Sequence, residues 1–176
     1  DGAQLYVAAR TGSVFVIYNR DKNSGLLSLK DKYTNNQFIT GLTGAYGLAV
    51  APNGQHIYVT GNTANAITIF SRDADNFVGP EADVISATDL GGARGMTISP
   101  DGAHLYVVGS TGSISGTLAA YSRNQTTGAL THVQTWREGQ LLSIFPFVIQ
   151  LDGLAGATQV AISPDGQFVY VTATDD

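Results

Sequence analysis

Three related segments of the chain each contain a Gly-Ala pair, and the residue that follows this pair differs from copy to copy. They read GLTGAYG, DLGGARG and GLAGATQ, at residues 41–47, 89–95 and 153–159. The variable residues are Tyr46, Arg94 and Thr158. Polar side chains that converge in a concavity form the usual binding site for a small molecule. We therefore expect a ligand site at these three residues, with Asp89 and Asp152 nearby.

Arg94 has the side chain in this set that is best suited to binding an anion. Its planar guanidinium can bind a carboxylate or a phosphate through two parallel hydrogen bonds. The alternative is that Arg94 pairs with an acid or a backbone carbonyl of a neighbouring structural unit. The sequence leaves both roles open.

Other reactive residue types do not form a catalytic or metal-binding pattern. The GSISG stretch at 112–116 has isoleucine where a nucleophile elbow needs serine. The acidic loop at 73–81 has Phe and Val where an EF-hand calcium loop needs an oxygen ligand and a glycine. His56 and His104 occupy the same position of a repeated phrase, so we expect them not to face one another. With no cysteine in the chain, we predict neither a metal site nor a cofactor.

These segments belong to a repeat that predicts the fold. Its copies are GAYGLAVAPNGQHIYVT, GARGMTISPDGAHLYVV and GATQVAISPDGQFVYVT, with a shortened DGAQLYVAA at the start of the chain. Proline, then Asn or Asp, then glycine suits successive positions of a type I turn, with glycine free to take a positive φ. Each phrase therefore predicts a strand, a turn and a second strand.

Strands such as LYV, IYV and VYV are continuously apolar, so both of their faces must be covered. Two more strands follow in each of the first three units, and the third strand of a unit ends at Arg20, Arg72 or Arg123. Repeated four-stranded antiparallel units are typical of β-propeller blades. We predict an all-β propeller with about three to four blades, in which these arginines tie adjacent blades together. A β-sandwich is the alternative, but it would not need a near-periodic phrase.

The repeat also divides the chain. Residues 1–43 form a partial blade, 44–91 a blade, 92–155 a blade with an insertion, and 156–176 a second partial blade. Propellers protect their sheet edges by closing a ring. We expect the 176 residues to form an open arc that is closed by further blades of a longer polypeptide or by another chain.

The phrase S-P-D-G-x-x-[LIV]-Y-V, the strand ending Phe-Ser-Arg and the TGAL at 127–130 resemble the YVTN-type repeats of lactonase-like seven-bladed propellers. The resemblance implies hydrolysis of a lactone or ester at the central channel, by charged residues and histidine around its mouth. In this chain Arg94 occupies a matching kind of place and no histidine does. Many proteins with this repeat look like extracytoplasmic binding or scaffold modules, so the resemblance also implies a periplasmic or secreted protein, although no signal segment is visible.

The insertion in the third unit suggests a docking surface. It includes Trp136 and the apolar stretch LLSIFPFVIQL at 141–151. Because exposed aromatic patches often mark interfaces, Trp136, Phe145, Pro146 and Phe147 are candidate partner-binding residues. The alternative is a longer outer strand that folds back on its own blade. The stretch is too short to cross a membrane.

The net charge of -5 and the pI near 4.9 argue against a nucleic-acid partner. Our first functional hypothesis is a non-catalytic propeller that binds a protein or a surface through the insertion. The alternative is a lactonase-like hydrolase in which Arg94 orients an anionic substrate at the channel mouth and other blades supply the acid–base residues.

Overall fold

The strands of the protein follow the repeated phrases. A computed structural model describes residues 2–36, 39–75, 78–86, 90–112, 114–144 and 147–175. Within these ranges the chain forms β1 (Gln4–Ala9), β2 (Val14–Arg20), β3 (Leu27–Thr34), β4 (Ala45–Val50), β5 (His56–Gly61), β6 (Ala66–Arg72), β7 (Val78–Ser86), β8 (Ala93–Ile98), β9 (His104–Gly112), β10 (Ser115–Arg123), β11 (Leu130–Arg137), β12 (Leu141–Ile144), β13 (Phe147–Gln150), β14 (Gln159–Ile162) and β15 (Val169–Thr172).

The strands pair in chain order into antiparallel sheets. The sheets are β1-β2-β3, β4-β5-β6-β7, β8-β9-β10-β11, β12-β13 and β14-β15. The first strands of successive units, β4, β8 and β14, contact one another across the sheet boundaries and form the inner edge of the arc. The prediction of an all-β propeller built of four-stranded antiparallel blades is confirmed, and the chain is a partial propeller.

Apolar clusters lie between neighbouring sheets. Phe15 of the first sheet packs against Phe70 of the second, with ring centroids 4.7 Å apart. Ile69 of the second sheet shares a buried cluster with Leu105 of the third. Because each sheet is apolar on the faces that meet its neighbours, the sheets stabilise one another by burying those faces.

The turn between the first two strands of a unit has the predicted geometry. Gly54, Gly102 and Gly166 have φ values of 71°, 73° and 73°. In the third unit, the Ser99 hydroxyl donates to the Asp101 carboxylate at 2.5 Å. This hydrogen bond lowers the pKa of Asp101 below its ordinary value, since it favours the charged carboxylate.

The inner strands approach so closely that two positions require glycine. A Cβ atom on Gly47 would lie 2.4 Å from the Arg94 carbonyl oxygen, and one on Gly95 would lie 2.7 Å from the Thr158 carbonyl oxygen. The Gly95 N–H donates to that same Thr158 oxygen at 3.1 Å. The missing side chains therefore let the backbones of adjacent blades meet at the hub.

Arg123 ties the third sheet to the second, as predicted. Its Nε donates to the Tyr58 hydroxyl at 2.7 Å, and its Nη2 lies 3.0 Å from Nδ1 of His56. The Tyr58 hydroxyl in turn donates to the Gly128 carbonyl at 2.6 Å. We call these four residues the blade latch.

The other two recurring arginines bond to carbonyls near their own sheets. Arg20 Nη1 donates to the Gly2 carbonyl at 3.2 Å, and Arg72 Nη1 donates to the Gly54 carbonyl at 3.4 Å. The Arg72 charge also acts on Tyr6 of the first sheet, where it opposes the rise in the Tyr6 pKa that burial causes. For Arg72 and Arg20 the role in tying adjacent blades stays a prediction.

The insertion forms a separate hairpin, so the alternative of a longer outer strand is wrong. The outer strand β11 ends at Arg137, and β12 pairs only with β13 among the described strands. The chain turns at Gly139, whose φ of 75° a residue with a side chain rarely adopts. Leu141 and Val148 on this hairpin are 68% and 65% exposed.

The predicted partner-binding residues of the insertion are only partly described. Trp136 lies in β11 and is half-buried. Phe145 and Pro146 fall outside the described residues, and for Phe147 the structure describes the backbone in β13. Their contact role stays a prediction.

Candidate functional site

The candidate site lies where the inner strands begin. Tyr46 and Arg94 are the second residues of β4 and β8, and Thr158 immediately precedes β14. They occupy equivalent places in neighbouring blades because the Gly-Ala pair before each of them leads the chain into the inner strand.

Loops from adjacent blades meet at the same end of the arc. The hydroxyl of Ser13, in the β1–β2 loop, accepts the N–H of Gly44 at 2.9 Å. The side-chain oxygen of Asn65, in the β5–β6 loop, accepts the N–H of Gly92 at 3.0 Å. Ser13 and Asn65 both have a φ of 51°, a left-handed conformation that costs energy for residues with a side chain. These interblade hydrogen bonds hold the loops beside the start of the next inner strand.

A cavity of about 410 Å³ opens between these loops. Its lining includes Arg10, Asn62, Asn65, Arg94, Ser110 and Thr111. The lining is mainly polar. Arg10 comes from the β1–β2 loop of the first sheet, and the other lining residues come from the second and third blades. We call this cavity the mouth cavity.

Arg94 is half-buried and is fixed at one nitrogen. Its Nη1 lies 3.4 Å from the Gly156 carbonyl oxygen and 3.3 Å from that of Ala157, both in the next blade. Arg94 therefore does pair with backbone carbonyls of a neighbouring blade, which was the alternative role considered for it. These two contacts use one of the three guanidinium nitrogens. Within the part of the chain that the structure describes, Nε and Nη2 have no hydrogen-bond acceptor.

Arg10 also lines the mouth cavity, and the repeated phrases did not point to it. Its guanidinium carbon lies 5.6 Å from the centroid of the Tyr46 ring. A cation over an aromatic face is attracted by the ring's negative face, so Tyr46 supports Arg10 from the neighbouring blade. The signal available in the sequence was a cation in the loop after the shortened first phrase, at the place where the second unit has GNTAN.

The electrostatics of the mouth cavity are positive. No Asp or Glu occurs among the described residues that line it, whereas Arg10 and Arg94 both do. The guanidinium group of an arginine carries a positive charge. The arrangement can therefore bind a group with negative charge or a strongly polarised carbonyl oxygen.

The remaining predicted ligand residues lie apart from the mouth cavity or outside the described residues. The Thr158 hydroxyl lies 3.2 Å from the Thr172 hydroxyl and does not line the cavity. Asp152 is exposed, and its carboxylate accepts the N–H of Gly153 at 3.1 Å. Asp89 is not among the described residues. The structure thus brings Arg94 together with Arg10 and Tyr46, and the ligand-binding role of all five predicted residues stays a prediction.

The histidines do not converge, as the repeat register indicates. His56 is buried in the blade latch, and His104 lies at the start of β9. His132 Nε2 lies 2.8 Å from the Thr135 hydroxyl on the outer strand β11. Across the described ranges no group of three or more His, Cys, Asp or Glu residues could hold a metal ion, and no helix has the length and apolar character that a membrane span needs.

The sequence profile of the family described as "Lactonase, 7-bladed beta-propeller" matches residues 30–141, which is more than half of the chain. The chain belongs to this family. No curated protein sequence matches the chain.

Solved structures of other proteins have the same fold. A Bacteroides uniformis protein provisionally named a 6-phosphogluconolactonase is 22% identical, with a TM-score of 0.74 over 97% of this chain and 47% of that one. The periplasmic gluconolactonase of Pseudomonas aeruginosa is 18% identical, with a TM-score of 0.71 over 97% of this chain and 47% of that one. A protein of unknown function from Desulfotomaculum acetoxidans is 21% identical, with a TM-score of 0.70 over 98% and 48% of the two chains. The chain therefore spans about half the length of these structures.

Membership in the lactonase family corrects our first functional hypothesis. A non-catalytic scaffold that binds through the insertion is wrong, because the family match and the names of the similar structures favour the lactonase alternative. The aromatic insertion drew the hypothesis toward an interface, whereas the family match favours the polar cavity where the inner strands begin.

Proposed function

We propose that the protein hydrolyses a lactone in the mouth cavity. The observation that carries the proposal is the placement of Arg94: in a member of the lactonase family, this residue lines a polar cavity where the inner strands begin. One of its nitrogens is anchored to carbonyls of the next blade. The guanidinium is thus held in place before a substrate arrives, which lowers the cost of ordering it during binding.

Lactone hydrolysis adds water to the ring carbonyl and breaks the ring C–O bond. A base takes a proton from the attacking water, and the departing alkoxide oxygen receives a proton, so the product is a hydroxy acid. Arg94 can orient an anionic substrate through its remaining donors. The described lining of the mouth cavity has no carboxylate and no histidine. We therefore assign the acid–base step to a residue outside that lining.

The similar structures support the proposal and its setting. The names of two of them refer to sugar lactones, and one of these proteins is periplasmic. We extend the proposal to an extracytoplasmic location for this protein. We also keep the division into blades at 1–43, 44–91, 92–155 and 156–176 as part of the proposal.

The test is a pH-stat assay of the protein on a panel of sugar lactones. We expect hydrolysis above the spontaneous rate, and a fall in kcat/KM of about 10- to 100-fold for Arg94→Ala, the size of a lost charge-assisted hydrogen bond of about 1.5–3 kcal/mol. Arg20→Ala, an exposed arginine bonded to the Gly2 carbonyl, is the control and should retain full activity. Absence of turnover with every lactone would refute the activity, and an unaffected Arg94→Ala would refute the site.

A further inference from the structure

We infer that Glu138 is a positioning residue for Arg94. Its carboxylate holds residues 154–157, which we call the β14 lead-in, and two carbonyl oxygens of this lead-in contact the Arg94 guanidinium. The consequence for catalysis rests on the proposed function, whereas the structural connection can be tested without a substrate.

Glu138 joins the outer strand of the third blade to the β14 lead-in. It is the first residue after β11, and its Oε2 accepts the N–H of Leu154 at 2.7 Å. Its own N–H donates to the Gly116 carbonyl at 2.8 Å, so its main chain is fixed as well. The lead-in is buried. Because a buried N–H without an acceptor destabilises a fold, the Glu138 carboxylate stabilises the start of the lead-in.

The β14 lead-in connects this hydrogen bond to Arg94. The Leu154 carbonyl accepts the N–H of Ala157 at 3.0 Å, which closes a tight turn. The carbonyl oxygens of Gly156 and Ala157, at the end of the turn, lie 3.4 and 3.3 Å from Arg94 Nη1. Since Leu154 begins the same turn, a shift of Leu154 would move the two oxygens that hold Arg94.

The same connection occurs at the start of the second blade. Leu42 is the counterpart of Leu154 in the repeat, and its N–H donates to the Asn35 side-chain oxygen at 2.7 Å. Asn35 is the first residue after the outer strand β3, as Glu138 is after β11. The Leu42 carbonyl also accepts the N–H of Ala45 at 2.9 Å, which closes the same turn. A side-chain acceptor after the outer strand is therefore a recurring part of the junction between blades.

The insertion hairpin holds Glu138 at its base. The Gly139 N–H donates to the Leu151 carbonyl at 2.9 Å, and the Leu151 N–H donates to the Gln140 carbonyl at 2.8 Å. These two bonds close the hairpin directly beside Glu138, so the chain returns to the end of β11 before it enters the lead-in. We therefore assign the base of the insertion a part in positioning Arg94.

The position of Arg94 Nη1 determines where the rest of its guanidinium points, because the group is planar. A catalytic or binding group that is displaced by about 1 Å can lower the rate of a reaction by up to about 100-fold. Loss of the Leu154 hydrogen bond should therefore slow a reaction that depends on Arg94, although Glu138 itself touches no substrate.

The test measures kcat/KM for lactone hydrolysis in four variants. Glu138→Ala has no acceptor and Glu138→Asp is one methylene too short to reach Leu154, so each should lower kcat/KM about 3- to 10-fold. Glu138→Gln keeps an acceptor oxygen at the same reach and should stay within about twofold of the unmutated protein. Asn35→Ala removes the equivalent hydrogen bond before β4 and is the matched control, which should also stay within about twofold.

A double-mutant cycle distinguishes positioning from general stabilisation. If Glu138 acts through Arg94, Glu138→Ala should lower kcat/KM by less than about twofold when Arg94 is already alanine. NMR of protein labelled with 15N-arginine gives a readout that needs no turnover. Rotation of the Arg94 guanidinium should be at least about threefold faster in Glu138→Ala, and unchanged in Glu138→Gln and Asn35→Ala.

The outcomes separate this inference from the proposed function. Unchanged guanidinium rotation and unchanged kcat/KM in Glu138→Ala overturn the positioning role and leave the hydrolase proposal standing. Losses of kcat/KM that add in the double variant also overturn it, because Glu138 would then act independently of Arg94. Faster rotation in Glu138→Ala, without turnover of any lactone, supports the positioning role and refutes the hydrolase.

Discussion

Replacing Tyr58 with phenylalanine tests how the blade latch stabilises the arc. The Tyr58 side chain is fully buried, and its hydroxyl lies between two partners from the third blade. It donates to the Gly128 carbonyl at 2.6 Å and accepts from Arg123 Nε at 2.7 Å. Phenylalanine keeps the ring and removes both hydrogen bonds, which leaves a buried carbonyl and a buried guanidinium nitrogen without that partner.

The size of the effect follows from the two bonds. A hydrogen bond to a charged group contributes about 1.5–3 kcal/mol, and a neutral one contributes about 0.5–1.5 kcal/mol. We therefore expect Tyr58→Phe to lower the free energy of unfolding by about 2–4 kcal/mol. For a protein of this size that corresponds to a fall in Tm of roughly 5–15 °C.

Tyr106 provides the matched control, because it occupies the same position in the next copy of the repeat. It is half-buried, and its hydroxyl makes no hydrogen bond to any residue in the described ranges. Tyr106→Phe should change the free energy of unfolding by less than about 0.5 kcal/mol. Both variants are measured by urea denaturation followed by circular dichroism. Equal losses in the two variants, or none for Tyr58→Phe, would refute the reasoning.

Two further predictions concern the turns. Gly128 and Gly25 have nearly the same φ, 76° and 75°, but a Cβ on Gly128 would lie 2.4 Å from the His56 ring and one on Gly25 would meet nothing within 4 Å. Gly25→Ala should lower the free energy of unfolding by about 1–2 kcal/mol, because alanine disfavours the left-handed backbone. Gly128→Ala should lower it by about 1–3 kcal/mol more, because its Cβ would also clash with the His56 ring. Both values are measured by denaturation, and equal losses in the two variants would contradict the packing of Gly128 against His56. Ser99→Ala should raise the pKa of Asp101, because the Ser99 hydroxyl is the largest cause that lowers it. Since the folded pKa lies below the unfolded value of about 3.9, the stabilisation by Asp101 is present above that pH and is lost as the pH falls through the folded pKa. If NMR titration gave the same Asp101 pKa in Ser99→Ala as in the unmutated protein, this prediction would be wrong.

The fold was predictable because its signals are local. The Pro-Asp-Gly turn and the apolar strands beside it each depend on a few consecutive residues, so the phrase at Ser99 predicts the β8–β9 turn directly. Recurrence of the phrase then indicates repeated blades. The positive φ of Gly102 is a consequence of the same local pattern.

The candidate site was less predictable because its contacts join loops of different blades. The lead-in to β8 pointed to Arg94, but the stacking of Arg10 on Tyr46 depends on how the first sheet packs against the second. The spacing of residues along the sequence does not show how these two sheets pack together. The insertion was ambiguous for a different reason, since a short apolar run is compatible with either a longer strand or a new hairpin.

The central claim, that the chemistry takes place at the mouth cavity, is tested most directly by a crystal structure of the protein with a bound sugar hydroxy acid, the product of lactone hydrolysis. We predict that the product lies in the mouth cavity with an oxygen about 2.7–3.2 Å from a guanidinium nitrogen of Arg94. A product bound at any other place, with no contact to Arg94, would contradict the account.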